Sequence, residues 1–352
     1  MGQTRRLSQE QYLELGTHIL TQIGIPQNHA GVQISSLLDA DQRKVHTHGL
    51  FRLPTYIKQI INGGINKDPN IQRLRRGPVI ELMDGDHGLG AVVASTAMKA
   101  AIELSSQNGI GVVSVKNGSH FGMAAYYAEL ATYENQIGIA MSNTSPMIAP
   151  TGSLKPVLGN NPWAIAVPTN MNYPVTLDMA NSMVAKGKIR MAALKEESIP
   201  FGWALDNLGR PTNDPKEALK GVILPIGGYK GYGITLMVDI LAGVLSGADF
   251  GEKVPDHETG EKRNIGQLFI SINVGNFMNI DQFKSRMDEL IESIKTAPRI
   301  DPDIEVLLPG EKEWKNKLNE LHQPFDFPIN VVDSLVQVCQ KYNIDLPKSL
   351  LH

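Results

Sequence analysis

The sequence has few of the features that mark secreted, membrane-spanning or cysteine-stapled proteins. Its 352 residues include a single cysteine, Cys339, and aromatic residues make up only 6%. One thiol forms no internal disulfide and cannot build a cysteine-ligated zinc site. No run approaches the roughly 18–20 apolar residues that span a bilayer, and the polar residues 1–6 do not resemble a signal peptide. We therefore expect a cytoplasmic protein.

An excess of one charge is also lacking. The 33 lysines and arginines nearly balance the 36 aspartates and glutamates, and the net charge is -3. This balance gives no electrostatic reason to expect nucleic acid or an anionic membrane as a partner. The chain is longer than one hydrophobic core usually organises, so we expect two or three sub-domains.

Apolar periodicity predicts helices at the start of the chain and an α/β region after it. Ser8 and Gln11 have the spacing of a capping box, and a second amphipathic helix is predicted over 28–41. Further on, predicted strands first alternate with helices and then follow one another directly, which favours α/β with a mixed sheet. The predicted strands are 79–83, 111–115, 137–141, 164–168, 175–179 and 268–272. The predicted helices of this region are an alanine-rich helix that follows the glycine-rich turn at 85–90 and ends at about 107, one near 121–135 and one over 231–247.

Two other stretches have simple interpretations. The last sixty residues are predicted to be mostly helical, with a turn at Pro309 and Gly310. The segment 251–263 is polar and charged, and is interpreted as a surface loop.

The first candidate site runs from His46 to Tyr56. His48, Arg52 and Tyr56 are four residues apart and would form one stripe on a helix, although Pro54 fits only a first helical turn, so that His48 could precede the helix. An arginine can clamp a carboxylate while a histidine exchanges a proton on a neighbouring oxygen. The alternatives are a helix-capping role with a surface arginine, or a metal site, as in a hydrolase that uses His46, His48 and His87.

The second candidate site is 116–122, where a predicted strand ends at Lys116 and His120 precedes a helix. Such junctions line clefts, although a helix-capping histidine explains the pattern equally well. A glycine-rich turn at 85–90 superficially resembles a dinucleotide fingerprint. It lacks the third small residue, because position 93 is Val93, and a turn without a ligand is favoured.

Five polar or glycine-rich turns form the last candidate set. Glycine beside lysine lets backbone amides and an ammonium group approach phosphates, so together the turns suggest a diphosphate ligand held by scattered loops. The turns are 142–146, 159–162, 178–180, 186–188 and 227–233.

Many of these blocks, in this order and spacing, resemble the malate/L-lactate dehydrogenase family of non-Rossmann type. That family also includes ureidoglycolate dehydrogenase, 2,3-diketogulonate reductase, sulfolactate dehydrogenase and piperideine-2-carboxylate reductase. One departure is Asn160, since many members carry Gly-Thr-Asn-Pro where this chain has Gly-Asn-Asn-Pro. The matching blocks are 46–56, 117–122, 159–162, 177–180, 185–188, 199–206, 211–215 and 228–233.

The resemblance implies a mixed α/β (α+β) fold that differs from a Rossmann domain. A helical domain would be built from both chain ends, 1–77 with 280–352, and an NAD(P)-binding domain with a large mixed sheet would span 78–279. The family also implies a homodimer with its active sites near the interface.

The resemblance further implies roles for individual residues. His48 and His120 match the acid/base histidines, with His48 as our first choice for the proton donor. Arg52 matches the substrate-carboxylate clamp, and Tyr56 is assigned to the substrate with it. The residues expected to contact the dinucleotide are Thr144, Asp178, Met179, Ala180, Lys186, Lys230, Gly310, Glu311 and Lys312.

The activity implied is hydride transfer between NAD or NADP, with NAD slightly favoured, and C2 of a small 2-hydroxy or 2-oxo acid. Malate, lactate and ureidoglycolate are substrates of this type, and no metal is expected. The alternatives are reduction of a cyclic imino acid and a non-catalytic nucleotide-binding homologue.

Overall fold

The computed structural model describes residues 4–256, 261–321 and 323–346. The helices lie mainly in the first and last parts of the chain and on the faces of a central sheet. They are α1 (Gln9–Gln22), α2 (Gln27–Gln42), α3 (Leu53–Ile61), α4 (Gly90–Asn108), α5 (Ala124–Thr132), α6 (Lys186–Lys195), α7 (Pro215–Lys220), α8 (Tyr229–Val238), α9 (Ile280–Lys295), α10 (Glu311–Glu320) and α11 (Ile329–Lys341).

The strands form one large sheet and two small ones. They are β1 (Thr4–Leu7), β2 (Gln72–Arg76), β3 (Ile80–Asp84), β4 (Ile110–Gly118), β5 (Gln136–Ser142), β6 (Trp163–Val167), β7 (Val175–Met179), β8 (Ala204–Leu205), β9 (Pro211–Thr212), β10 (Val222–Ile223), β11 (Ile265–Asn273) and β12 (Phe325–Pro328). The seven-stranded sheet has the order β2-β3-β4-β11-β5-β6-β7. Only β3 and β4 run parallel among its pairs, so the predicted mixed sheet is confirmed.

Small residues bring two helices close to this sheet. The alanine-rich α4 and α5 lie over β4 and β5, and a Cβ atom on Gly111 or Gly138 would overlap the backbone carbonyl of Ala101 or Ala128. The sheet core consists largely of alanine and valine side chains from these elements, together with Tyr127. Close backbone approach therefore fixes the position of each helix over its strand.

The two ends of the chain form a separate helical core. β1 pairs antiparallel with β12, and apolar side chains from α1, α2 and α3 pack with Phe325, Leu335 and Val338. The Ser8 capping box begins α1 as predicted, with both of its hydrogen bonds formed. Residues near both chain ends therefore share one apolar core.

A buried ion cluster joins this helical core to the sheet. Arg43, at the end of α2, donates two hydrogen bonds to Glu129 of α5 (2.8 and 2.5 Å) and two to Asp39 (2.8 and 3.4 Å). Lys317 of α10 also pairs with Asp39 at 2.5 Å. Because buried charges must be compensated, this cluster fixes the position of the helical core relative to the sheet.

Several details differ from the sequence-based expectations. The strand pair β1–β12 was not predicted. The expected domain boundary at 77 falls between β2 and β3, which pair with each other, so the sheet extends back to Gln72. The helix predicted over 231–247 is α8 followed by a π-helical segment, Asp239–Val244. In the part of the chain that the structure describes, no helix is long and apolar enough to cross a membrane.

Candidate active site

The segment His46–Tyr56 is a pair of short 3-10 turns followed by α3. His48 ends the first turn, Arg52 ends the second, and Tyr56 lies on α3. Pro54 is in the first turn of α3, where its missing N–H is tolerated. His48 therefore precedes the helix, which is one of the two arrangements that the sequence left open.

Buried Asp41 anchors these turns. Its carboxylate accepts hydrogen bonds from Leu50 N (2.7 Å) and from the Tyr12 hydroxyl (2.7 Å), and it pairs with His46 Nδ1 at 2.8 Å. The hydrogen bond to Asp41 raises the pKa of His46. His46 therefore holds the loop in place, while His48, two residues later, is presented to the site.

His120 reaches the same place from the sheet. It follows Gly118 at the end of β4 and precedes α5, and Gln267 of β11 donates to Ser119 O at 2.9 Å. A Cβ atom on Gly90 would overlap the carbonyl of His120, so the glycine-rich turn at 85–90 packs against this segment. The turn therefore helps to place His120.

The two histidines and Tyr56 form one group. The rings of His48 and His120 are stacked, with centroids 5.8 Å apart and planes 16° apart. The Tyr56 hydroxyl and His120 Nδ1 are hydrogen-bonded at 2.8 Å. Burial raises the pKa of Tyr56 to about 12, so its hydroxyl stays protonated at neutral pH.

His48 has a different environment. Burial, with a smaller contribution from the charge of Arg52, lowers its pKa to about 4. Its ring is therefore neutral at physiological pH.

Arg52 is held by its own loop. Its Nε donates to Thr47 O at 2.8 Å, which orients the guanidinium while its two terminal nitrogens lie outside this bond. These two nitrogens form the fork that binds a carboxylate in bidentate fashion.

Arg263 was missed by the sequence reasoning. It lies in the segment 251–263, which was interpreted as a surface loop, yet only 6% of it is exposed. Its Nη2 donates to Ser145 Oγ at 3.1 Å, and its charge acts on both Tyr56 and Arg52. The interpretation was wrong for this residue because a charged loop pattern does not reveal which of its side chains folds inwards. Its position five residues before the start of the predicted strand 268–272 was the only available signal.

The expected cofactor residue Thr144 lies after β5. Its backbone N–H donates to Asn161 Oδ1 (3.0 Å), and its hydroxyl donates to Asn160 Oδ1 (2.9 Å). Asn160, the departure from the family pattern, therefore supports the loop that carries Thr144. Lys186 and the residues just after this loop, Pro146 and Met147, line one small cavity.

Two further expected cofactor segments lie side by side. Thr176 N donates to Pro309 O at 3.1 Å, which brings the turn at Gly310 beside β7 and its last residues, Asp178 and Met179, with Ala180 directly after them. Asp178 Oδ2 accepts from Ala125 N at 2.7 Å, at the start of α5. The sequence assigned these segments separately, and the structure makes them one surface.

The residues next to Gly310 differ in what their side chains can do. Lys295 and the Leu308 N–H both bind the Glu311 carboxylate, with contacts of 2.5–2.8 Å. This carboxylate therefore holds the turn at Gly310 in place. The backbone of the turn is the part that a ligand can contact. Lys312, in contrast, is exposed.

Lys230 lies at the start of α8. The two residues before this helix, Gly227 and Gly228, have φ values of +59° and +63°, and a Cβ atom on Gly228 would meet nothing within 4 Å. Lys230 is exposed beside this open helix N-terminus. Backbone amides, a helix dipole and an ammonium group suit a phosphate, so these residues fit the diphosphate of a dinucleotide.

The structure thus brings His48, His120, Arg52 and Tyr56 into one cluster. In the described ranges 4–256, 261–321 and 323–346, no three His, Cys, Asp or Glu side chains are grouped so that they could hold a metal ion.

Comparison with known proteins identifies the family of this chain. The family model for malate/L-lactate dehydrogenase matches residues 7–336. The malate dehydrogenase of Pyrococcus abyssi is 39% identical over 96% of this chain and 95% of its own length. The ureidoglycolate dehydrogenase (NAD(+)) of Escherichia coli O157:H7 is 33% identical over 88% of each chain. The solved sulfolactate dehydrogenase of Methanocaldococcus jannaschii superposes with a TM-score of 0.91, at 39% identity over 97% of this chain and 98% of that one. The chain belongs to the malate/L-lactate dehydrogenase family.

Proposed function

We propose that the protein catalyses reversible hydride transfer between a nicotinamide cofactor and C2 of a small 2-hydroxy or 2-oxo acid. Family membership makes it a hydroxy acid dehydrogenase. The observation that carries the proposal is the Tyr56–His120 pair beside Arg52, because it joins a proton carrier to a carboxylate clamp.

Arg52 binds the substrate carboxylate. With Nε held by Thr47 O, the guanidinium presents its terminal nitrogens in a fixed direction. Bidentate binding then sets the position of C2 and of its oxygen, and orientation alone contributes several kcal/mol to rate enhancement.

His120 exchanges the proton on the C2 oxygen. Its Nδ1 is engaged by Tyr56, so we assign the exchange to Nε2. In the reducing direction the imidazolium gives this proton to the oxygen, and in the oxidising direction the neutral ring removes it. Tyr56 is a positioning residue that fixes the ring, which refines its expected role as a direct substrate contact.

His48 is our second choice for the group that exchanges the proton. Since its pKa is about 4, it carries no proton to give at neutral pH. We therefore reverse the order of preference drawn from the sequence, and propose that neutral His48 packs on His120 and borders the substrate.

The cofactor surface is formed by Thr144, Asp178–Ala180, Lys186, Lys230 and the turn at Gly310–Lys312. A bound nicotinamide dinucleotide supplies or accepts the hydride. The start of α8 would hold its diphosphate. We favour NAD slightly over NADP, because the carboxylate of Asp178 at the end of β7 would disfavour an additional phosphate on this surface.

We further propose a homodimer that forms through the outer face of α8 and the π-helical segment after it. Large apolar side chains are exposed along this face, including Met237, Leu241, Val244 and Leu245. Contiguous exposed apolar surface of this kind marks an interface, and Lys230 at its edge would place the cofactor site near the partner subunit.

A cytoplasmic location and a small-molecule acid as the only kind of substrate complete the proposal. The one cysteine, Cys339, is buried and free, so this chain forms no internal disulfide that would need an oxidising compartment.

The acid/base assignment is tested by two variants, His120→Asn and His48→Asn, assayed for steady-state reduction of 2-oxo acids. We expect turnover to fall by about 10²–10⁴-fold for His120→Asn, the usual contribution of a general acid or base, and by less than about tenfold for His48→Asn. Titration of NADH binding by protein fluorescence serves as the control and should be unchanged in both. A larger loss in His48→Asn than in His120→Asn would contradict the assignment.

A further inference from the structure

Arg263 is a buried cation that the mechanism above does not use. Three strand ends converge around it, because β11 lies between β4 and β5 and runs antiparallel to both. The start of β11, which Arg263 precedes, is thereby placed beside the end of β4 that leads to His120 and the end of β5 that leads to Thr144. The topology therefore points Arg263 towards the catalytic cluster.

Its side chain is fixed on one side only. Nη2 donates to Ser145 Oγ at 3.1 Å, and the Ser145 hydroxyl in turn donates to Pro255 O at 2.9 Å. His87 Nδ1 meets Arg263 O at 3.1 Å, which holds the backbone. Among the described residues, however, no hydrogen-bond acceptor reaches the buried Nε.

The electrostatics of this position favour a further anion beside Asp256. Burial, together with the like charge of Arg52, lowers the pKa of Arg263 to about 10, while the charges of Asp256 and Tyr56 act in the opposite direction. A buried N–H without an acceptor costs free energy, and so does the repulsion between the charges of Arg263 and Arg52. A ligand with two acidic groups would relieve both costs.

We propose that Arg263 is a specificity-determining residue that binds a second acidic group of the substrate. This inference rests on the proposed function, in which Arg52 binds the carboxylate next to C2. The preferred substrate is then a dianion that carries a carboxylate or a sulfonate on C3. A terminal methyl group at that position would leave the Arg263 Nε without an acceptor.

The test compares oxaloacetate with 2-oxobutanoate, which has a methyl group in place of the second carboxylate. 3-Sulfopyruvate forms a third arm that separates sulfonate from carboxylate preference. The variants are Arg263→Met and Arg263→Lys, and Lys262→Met is the matched control because it removes an exposed charge from the same segment. Cofactor affinity and apparent melting temperature are measured for each variant.

We expect the unaltered enzyme to prefer a dianion over 2-oxobutanoate. Arg263→Met should lower kcat/KM for that dianion by about 30-fold or more, the usual effect of removing one partner of a buried charge pair, and should change kcat/KM for 2-oxobutanoate by less than about threefold. Arg263→Lys should retain part of the preference, and Lys262→Met all of it. An equal loss on both classes of substrate, or an unchanged preference, would overturn the proposal.

The further inference and the proposed function fail in different ways. Reduction of 2-oxobutanoate with no preference for either dianion overturns the role of Arg263 and leaves the proposed function intact. If no 2-oxo acid is reduced, the proposed function fails, and binding then decides the role of Arg263. In calorimetric titrations of the protein with saturating NADH, succinate should bind more tightly than butanoate. Arg263→Met should abolish that difference, and its persistence in the variant would contradict the inference.

Discussion

His48 and His120 stack on one another, yet their surroundings give the two imidazoles different chemistry. Tyr56 holds His120 through Nδ1, while burial and Arg52 keep His48 neutral. The sequence shows only that His48 and His120 lie at positions that suit a proton carrier. Only the packing around each ring separates the proton carrier from its neighbour.

The carboxylate clamp makes a prediction about binding. Arg52→Met should raise KM for 2-oxo acids by about 10- to 100-fold, because hydrogen bonds to a charged group contribute about 1.5–3 kcal/mol. Arg52→Lys keeps the charge but cannot bind a carboxylate in bidentate fashion. Its KM should therefore lie between those of the parent protein and Arg52→Met. Steady-state kinetics on one 2-oxo acid provide the measurement, and a KM that is the same in all three proteins would show that Arg52 does not bind the substrate.

The low pKa of His48 predicts a dependence of stability on pH. Its folded pKa of about 4 lies below the unfolded value of about 6.5. Between these values the unfolded state binds more protons, so acidification from pH 6.5 to 4 destabilises the fold. Between pH 7 and pH 5, the melting temperature of His48→Asn should therefore fall less than that of the parent protein.

His46 provides a control of opposite sign. Its pKa is raised by Asp41, so its contribution to stability is present below pH 6.5 and is lost as the pH rises through the folded value. His46→Asn should be more destabilising at pH 5 than at pH 8, as measured by thermal unfolding. If both histidine variants followed the same pH profile, the assigned environments would be wrong.

At the scale of elements, the start of α8 is the clearest test of the cofactor surface. Gly228 has a positive φ and ψ of -123°, a conformation that favours glycine, although its Cβ position is open. Gly228→Ala should weaken cofactor binding by distorting the helix N-terminus. Gly233→Ala, within the same helix and with nothing within 4 Å of its Cβ position, should bind the cofactor normally. Equal NADH affinity in both variants, measured by fluorescence titration, would argue against a diphosphate at this helix.

The individual helices and strands show how far the sequence predicts the fold. Strongly periodic elements such as β7 and α4 were predicted within a few residues, because their apolar pattern is local. β1 and β12 were missed because their pairing joins residues at opposite ends of the chain. The π-helical segment after α8 was missed because it shares the apolar pattern of an α-helix.

The candidate site, like the fold, was predicted only in part. His48, Arg52, Tyr56 and His120 could be selected from spacing and from the family resemblance, because these residues sit in recognisable blocks. Arg263 could not, since its role depends on the burial of one side chain within a charged segment. The bond between Tyr56 and His120 likewise depends on the packing of α3 against the end of β4.

At the scale of the whole molecule, the exposed face of α8 and its π-helical extension predicts the oligomeric state. Met237 is 52% exposed on this face, and Leu290 of α9 is similarly exposed (54%) elsewhere. Met237→Glu should convert a dimer into monomers, because a charge at the centre of an apolar interface is not compensated. Leu290→Glu should leave the dimer intact. Light scattering after size-exclusion chromatography distinguishes the two variants, and a monomeric parent protein would contradict the proposed homodimer.

The central claim is hydride transfer to C2 of a 2-oxo acid, and isotope transfer tests it most directly. The protein is incubated with nicotinamide cofactor deuterated at C4, in both the NADH and NADPH forms, together with oxaloacetate and 2-oxobutanoate. The account predicts a 2-hydroxy acid that carries deuterium at C2, detected by mass spectrometry and NMR, and formed about 10²–10⁴-fold more slowly by His120→Asn. Cofactor that binds but leaves both 2-oxo acids unlabelled, under conditions in which the protein is folded, would contradict it.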